Sequence, residues 1–256
     1  MTKYATGYPA SGALTGAETL QVVRAGADLQ APVSGFMPTS YIDGLILKWV
    51  SNTAVTVTSG SAYVPSLGYT LRATSDIAKT SLSLSASTMY HAYLFLNGST
   101  PDVEFVTTAP SAPYNGIART KTSDTTRRYL GSFITTSSGA VSPFTATGSF
   151  MCMWTANRVV NNGMNTAVTT VSVSSVVPAS CSSIFLRCQN NSTANSALIN
   201  WPENISAGSS SYVAIGAGRD LSIYVPVPSL QITYNYSGAP ATSGTFLDVL
   251  GYNFER

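Results

Sequence analysis

Apolar and polar positions alternate with a period of two along most of this chain, and that period predicts strands rather than helices. The cleanest case is residues 81–87 (SLSLSAS), where Leu82, Leu84 and Ala86 fall on one side and the serines on the other. Before it, 45–50, 54–58, 61–65 and 69–73 read as short strands, with Val55 and Val57 sharing a face. After it, 90–96 is rich in aromatic and branched residues and stops at Asn97-Gly98, a dipeptide suited to a tight hairpin turn. That turn predicts a partner strand at 102–107. Pro110 and Pro113 then forbid a helix, and 127–135 supplies a third strand that breaks at Ser137-Ser138-Gly139. Roughly seven or eight strands between 41 and 147 predict a sandwich or small barrel.

A boundary is expected within 142–149 (SPFTATGS), where proline, glycine and small hydroxyl residues cluster. Beyond it the rhythm resumes: 150–154, an alternating 168–177 stopped by Pro178, then 184–188, 197–201, 212–215, 221–225, 230–236 and 246–254. The first 40 residues differ. Gly7, Pro9, Gly12 and Gly16 punctuate them, and 17–25 fits either one strand or a couple of helical turns, because Leu20, Val22 and Val23 match neither period. The expected fold is therefore all-β: two antiparallel, jelly-roll-like β-sandwich modules at 41–148 and 149–256, preceded by a short N-terminal arm at 1–40.

Charge removes partners. Only 9% of residues are charged, 13 basic against 11 acidic, so a net +2 gives no reason to expect nucleic acid or an anionic membrane. No apolar run reaches the roughly 18 residues of a spanning helix, so membrane insertion is not expected. Lys3 is followed by Tyr, Gly and Pro rather than an apolar segment, and the chain is expected to stay in the compartment where it is made. Serine, threonine and asparagine are left to cover the surface.

Candidate chemistry is sparse. His91 is the only histidine and lies inside an aromatic strand, where packing is a commoner role than catalysis. Cys152, Cys181 and Cys188 show no CxxC spacing and read as free thiols, Cys181 with Cys188 being the pair to suspect if a disulfide formed. Asp102 and Glu104, two apart on one strand, share a face at a separation that glycosidase carboxylates use, but so do ordinary residues on the wet side of a hairpin. Gly216-Ala217-Gly218-Arg219 lacks the third glycine of a dinucleotide loop and reads as a turn. Arg119, Lys121, Arg127 and Arg128 form the one basic cluster, with Asp124 inside it. These residues predict no enzyme, no cofactor and no metal. Trp201, Tyr212, Tyr224, Tyr234, Tyr236 and Tyr252 enrich the second half in rings with a hydrogen-bonding tip, which suits a glycan or a subunit interface.

The middle block also resembles a known module. YHAYLFLNG at 90–98, TTAP at 107–110 and RRYLGSFITTSSG at 127–139 resemble a segment of tailed-bacteriophage structural proteins, particularly tail fibres and other virion appendages. Leu14, Thr15, Gly16, Ala17 and Glu18, leading through Val22 and Val23 to Gly26, look like the short N-terminal signature of such proteins. Val177-Pro178-Ala179-Ser180, followed by a strand carrying Arg187, resembles their C-terminal sandwich modules. The resemblance implies a structural component of a phage particle, attached through an arm carrying Leu14, Thr15, Gly16, Glu18, Val22 and Val23, and contacting the host surface. It implies a homotrimer, other virion proteins and a host-surface glycan as partners, and residence in the virion after synthesis in the host bacterial cytoplasm. Capsid decoration, a head fibre, or a glycan-binding module without catalysis stand as alternatives, since tail and capsid are not distinguished.

Overall fold

The structure, a computed structural model, describes residues 38–206 and 212–256, together with two strands at 19–24 and 27–32. In chain order its elements are β1 (Thr19–Arg24), β2 (Ala27–Pro32), β3 (Ile42–Gly44), β4 (Leu47–Ser51), β5 (Ala54–Val57), β6 (Gly60–Val64) and β7 (Tyr69–Ala73). There follow β8 (Ile77–Lys79), β9 (Met89–Asn97), β10 (Thr100–Val106), β11 (Thr120–Lys121), β12 (Asp124–Ile134), β13 (Phe144–Thr147) and β14 (Phe150–Gly163). The last are β15 (Thr169–Ser172), β16 (Cys181–Asn190), β17 (Ala197–Asn200), a short helix α1 (Pro202–Ser206), β18 (Val213–Ile215), β19 (Arg219–Pro226), β20 (Gln231–Tyr236) and β21 (Thr245–Phe254). Among the described residues strands occupy 58% against one five-residue helix, so the fold is all-β, built from antiparallel sheets in a sandwich-like arrangement.

The expected hairpin forms. β9 pairs with β10 from Asn97↔Thr100 to His91↔Val106, and Gly98 takes the left-handed φ of +62° that the turn requires. β12 joins the other side of β9, giving a sheet in the order β10-β9-β12-β11. Residues 90–94 of β9 and 128–133 of β12 are buried on both faces, so this block lies inside the molecule. The order in the largest sheet is β19-β16-β21-β14-β13-β4-β5-β8; the smaller sheets run β15-β20-β17-β18 and β3-β6-β7, and β1 pairs with β2.

β16 illustrates the physics of a strand buried on one side. Ile184, Leu186 and Cys188 are 0% exposed, whereas Phe185, Arg187 and Gln189, alternating with them, are only half-buried. Each fully buried Ile or Leu of this kind contributes about 1.5–3 kcal/mol. The stretch where a boundary was expected holds the β13–β14 hairpin, Thr147↔Phe150, and the largest sheet runs through it. That sheet takes β4, β5, β8 and β13 from one side of residue 148 and β14, β16, β19 and β21 from the other. One apolar cluster likewise joins Val55, Tyr93 and Phe133 to Met151, Leu186 and Val249.

Two expected strands are corrected. Residues 81–87 pair with no strand; Leu82 and Leu84 do pack against the core, but Ala86 is exposed in a turn and Ser81 and Ser87 have positive φ. Of 168–177 only β15 is strand. Val173 and Val177 are buried, yet they anchor a turn in which both Val176 and Val177 donate their N–H groups to Val173 O. Within the arm, 19–24 of the stretch expected at 17–25 forms β1, with Val22 opposite Leu29 and Val23 opposite Asp28. Leu14, Thr15, Gly16 and Glu18 lie outside the described residues.

Candidate functional site

Cross-strand register places His91 opposite Ser132, and Nδ1 lies 2.7 Å from Ser132 Oγ. The spacing is that of a base and its nucleophile. The bonding continues from Ser132 Oγ to Tyr129 Oη at 2.7 Å and from there to Ser180 Oγ at 2.8 Å, while Tyr252 Oη donates to Ser132 O at 2.7 Å. Ser132 and Tyr129 are 0% exposed, and Ser180 is 1%. Burial lowers the His91 pKa to about 4 and pushes the Tyr129 phenol up to about 12. Such a histidine is neutral and a poor base at neutral pH, and no substrate reaches the hydroxyl. The chain of hydroxyls is an interior bolt between β9, β12, β21 and the residue just before β16, each of these hydroxyls being hydrogen-bonded to another group.

The other candidates disperse. Asp102 meets Lys79 at 2.7 Å, whereas Glu104 meets Lys121 at 2.9 Å and Arg127 at 3.3 Å, so the two carboxylates are neutralised separately. Burial would raise the Asp102 pKa, but bonds from Lys79 and from the Val103 N–H outweigh it and the net direction is down. Of the basic cluster, Arg119 pairs with Glu255, Arg127 lies 4.1 Å from the Phe95 ring centroid, and Arg128 is 0% exposed, donating to Arg119 O and Ser40 O at 3.2 Å each. These four cations do not converge on one ligand. Cys181 and Cys188 both lie on β16, so their separation is about 23 Å, far beyond the ~7 Å Cα limit of a disulfide. Burial raises both thiols to about 12. Among the described residues no group of three or more His, Cys, Asp or Glu side chains could hold a metal ion, and no helix is long and apolar enough to cross a membrane.

The six rings chosen from sequence split by burial. Tyr234, Tyr236 and Tyr252 are 5%, 2% and 1% exposed and belong to the interior, where Tyr236 Oη donates to Asn190 Oδ1 at 2.7 Å. Trp201 is half-buried against the core. Tyr212 and Tyr224 are exposed, at 54% and 58%. Tyr224 does not stand alone: Phe185 stacks on it at 4.9 Å and Phe150 meets it edge-on at 6.2 Å. Phe150 reaches across β21 because Gly251 carries no side chain; a Cβ there would come within 3.1 Å of the Phe150 ring and 2.5 Å of Met151 O. Beside these rings the same sheet carries a charged row, Arg158 bidentate to Asp248 at 2.8 and 3.1 Å and Arg187 to Asp220 at 3.2 Å, with Arg187 in register with Asp248.

A second exposed group was not singled out in the sequence. β14 opposes Cys152 to Gly251 and Asn157 to Val249, so residues 153–156 bulge from the ladder. Trp154, on this bulge, is 61% exposed, tilts against Trp49 at 5.2 Å and donates Nε1–H to Thr145 Oγ1 at 2.9 Å. Trp49 Nε1–H in turn reaches Val141 O at 3.2 Å. Thr155, the next residue after Trp154, joins Ser87, Thr135, Thr136, Ser142, Asn157 and Ser175 in lining a groove of about 400 Å³. The available signal was FMCMW: with Met151 and Met153 inward, period two puts Phe150 and Trp154 outward. An open groove rich in hydroxyl and amide groups can hydrogen-bond a polyhydroxylated ligand, and the exposed Trp154 indole can stack on an apolar face. No protein-family model and no curated protein matches the chain.

Proposed function

We propose that the chain is a non-enzymatic structural component of a phage particle, of the tail-fibre or appendage kind, held in the virion through residues 1–40 and touching a host-surface glycan. The phage assignment rests on the resemblance of 90–139 and of the arm. The observation supporting a contact role over a catalytic one is the distribution of polar chemistry: the one Ser–His pair is sealed inside, while the Trp154 indole, the Tyr212 and Tyr224 phenols and many hydroxyls occupy the surface. Head fibre and capsid decoration are variants of the same reading.

Deleting residues 2–35 is expected to remove the protein from purified particles while leaving its far-ultraviolet spectrum that of a β protein. Truncated protein at full occupancy would overturn the attachment role. For the contact role, Trp154→Ala is expected to lower adsorption of purified protein to host cells or extracted surface polysaccharide about tenfold, the loss of one stacking contact of about 1.4 kcal/mol. Equal adsorption by both forms would remove the groove from the reading.

A further inference from the structure

We propose that β19 is an open seam at which two copies of the chain pair edge to edge, antiparallel, so that their largest sheets join across a twofold axis. Among the described residues β19 ends that sheet and pairs only with β16, through eight unbroken register positions from Ser183↔Pro226 to Asn190↔Arg219. Its far side therefore offers a run of N–H and C=O groups without a sheet partner, a template for another strand.

Setting aside the two-stranded β1–β2 sheet, the other edges of the described sheets are blunted. β8 is three residues long and its Lys79 is bound to Asp102; β10 contains Pro101 and two ion-paired carboxylates; β3 and β18 have three residues, β15 four and β11 two. β7 has five and carries Arg72 exposed at its centre. β19 has eight, without a bulge, and its centre, Leu221-Ser222-Ile223-Tyr224-Val225, carries no charge. Leu221 is 39% and Tyr224 58% exposed, although both are large and apolar-bodied. Long, uncharged and unbulged edges are what soluble proteins avoid unless something covers them.

Symmetry argues for a second copy as the cover. Centring an antiparallel pair on Ile223 sets Leu221 opposite Val225 of the other copy and Ser222 opposite Tyr224. Residues of equal parity then meet, so Leu221, Ile223 and Val225 continue the inner row across the seam. On the outer side the two Tyr224 rings become diagonal neighbours, within reach of each other. The charges agree. Arg219 and Asp220 occupy one end of the strand, so antiparallel pairing sends the two sets to opposite ends, and Asp220 is already held by Arg187. A closed threefold ring through this sheet would instead require β19 to meet a different edge, and the sheet's other edge is the short β8.

The inference goes beyond virion membership and is tested without particles. Full-length protein at micromolar concentration is expected to have twice the chain mass by light scattering. Ser222→Lys with Tyr224→Lys changes two exposed positions and sets lysine against lysine twice across the seam; it is expected to give the single-chain mass with an unchanged far-ultraviolet spectrum. In a Cys152→Ser background, Ser222→Cys protein mixed with Tyr224→Cys protein is expected to form a disulfide-linked pair more readily than either alone. A monomeric or threefold wild-type mass overturns the seam, as does a dimer indifferent to the two lysines. So does a monomer whose β19 amides resist hydrogen exchange at every concentration, which would mean that another segment of the same chain covers the edge.

Discussion

His91 makes the molecule acid-sensitive. An unfolded chain protonates it below its ordinary value of 6.5, whereas the folded chain resists protonation until about 4. Protons therefore bind the unfolded state first, and stability falls as pH drops through this window, with no further loss below it. Between pH 7.5 and 5 the loss is about 2 kcal/mol. Urea midpoints at pH 7.5 and 5 are expected to show it, and His91→Gln is expected to flatten the difference. Asp102 and Asp124 have pKa values shifted downward, so their contributions are lost at lower pH and leave this window to the histidine. Position in an aromatic strand made His91 legible as a packed residue. Its three hydroxyl companions were not legible, because Tyr129, Ser132 and Ser180 meet only once β12 and the residue just before β16 come together.

At the scale of elements, local chemistry and tertiary contact contributed differently. The β9–β10 hairpin was readable because Asn97-Gly98 sets its turn locally. Residues 81–87 alternate perfectly and still form no ladder, since alternation reports which side faces the core and not whether a neighbour supplies hydrogen bonds. Leu82 N–H reaches Thr53 O and Ser85 N–H the Tyr90 hydroxyl, so this segment is tied down at scattered points. The bulge of β14 was invisible for a similar reason: it exists only relative to β21. Two glycines separate local strain from packing. Gly98→Ala meets no atom within 4 Å and is expected to cost about 1 kcal/mol through its φ alone. Gly251→Ala must displace Met151 O and the Phe150 ring, at about 1–3 kcal/mol, and is expected to lower the thermal midpoint further. Equal midpoints would contradict the close approach across β21.

For the whole molecule, a sheet and a core shared across residue 148 predict one cooperative unit. Thermal unfolding followed by calorimetry is expected to show a single transition, and fragments 41–148 and 149–256 made separately are expected to lack stable structure, each losing four of the eight strands of the largest sheet. Two resolved transitions would indicate halves that hold their own cores. The pattern of residues established the all-β class, but the crossing was hidden because the turn at 148 has the composition of a linker. The placement of β21 also matters for the order of synthesis. It follows every other strand in the chain, yet it lies in the middle of the sheet, between β14 and β16. A ribosome that has delivered everything up to Gly244 has made both flanks and left a gap between them, each flank with an unsatisfied edge. The sheet can close only by insertion, so folding must wait for β21 to emerge. Crowded nascent chains on one message face their greatest risk of pairing with each other in that interval.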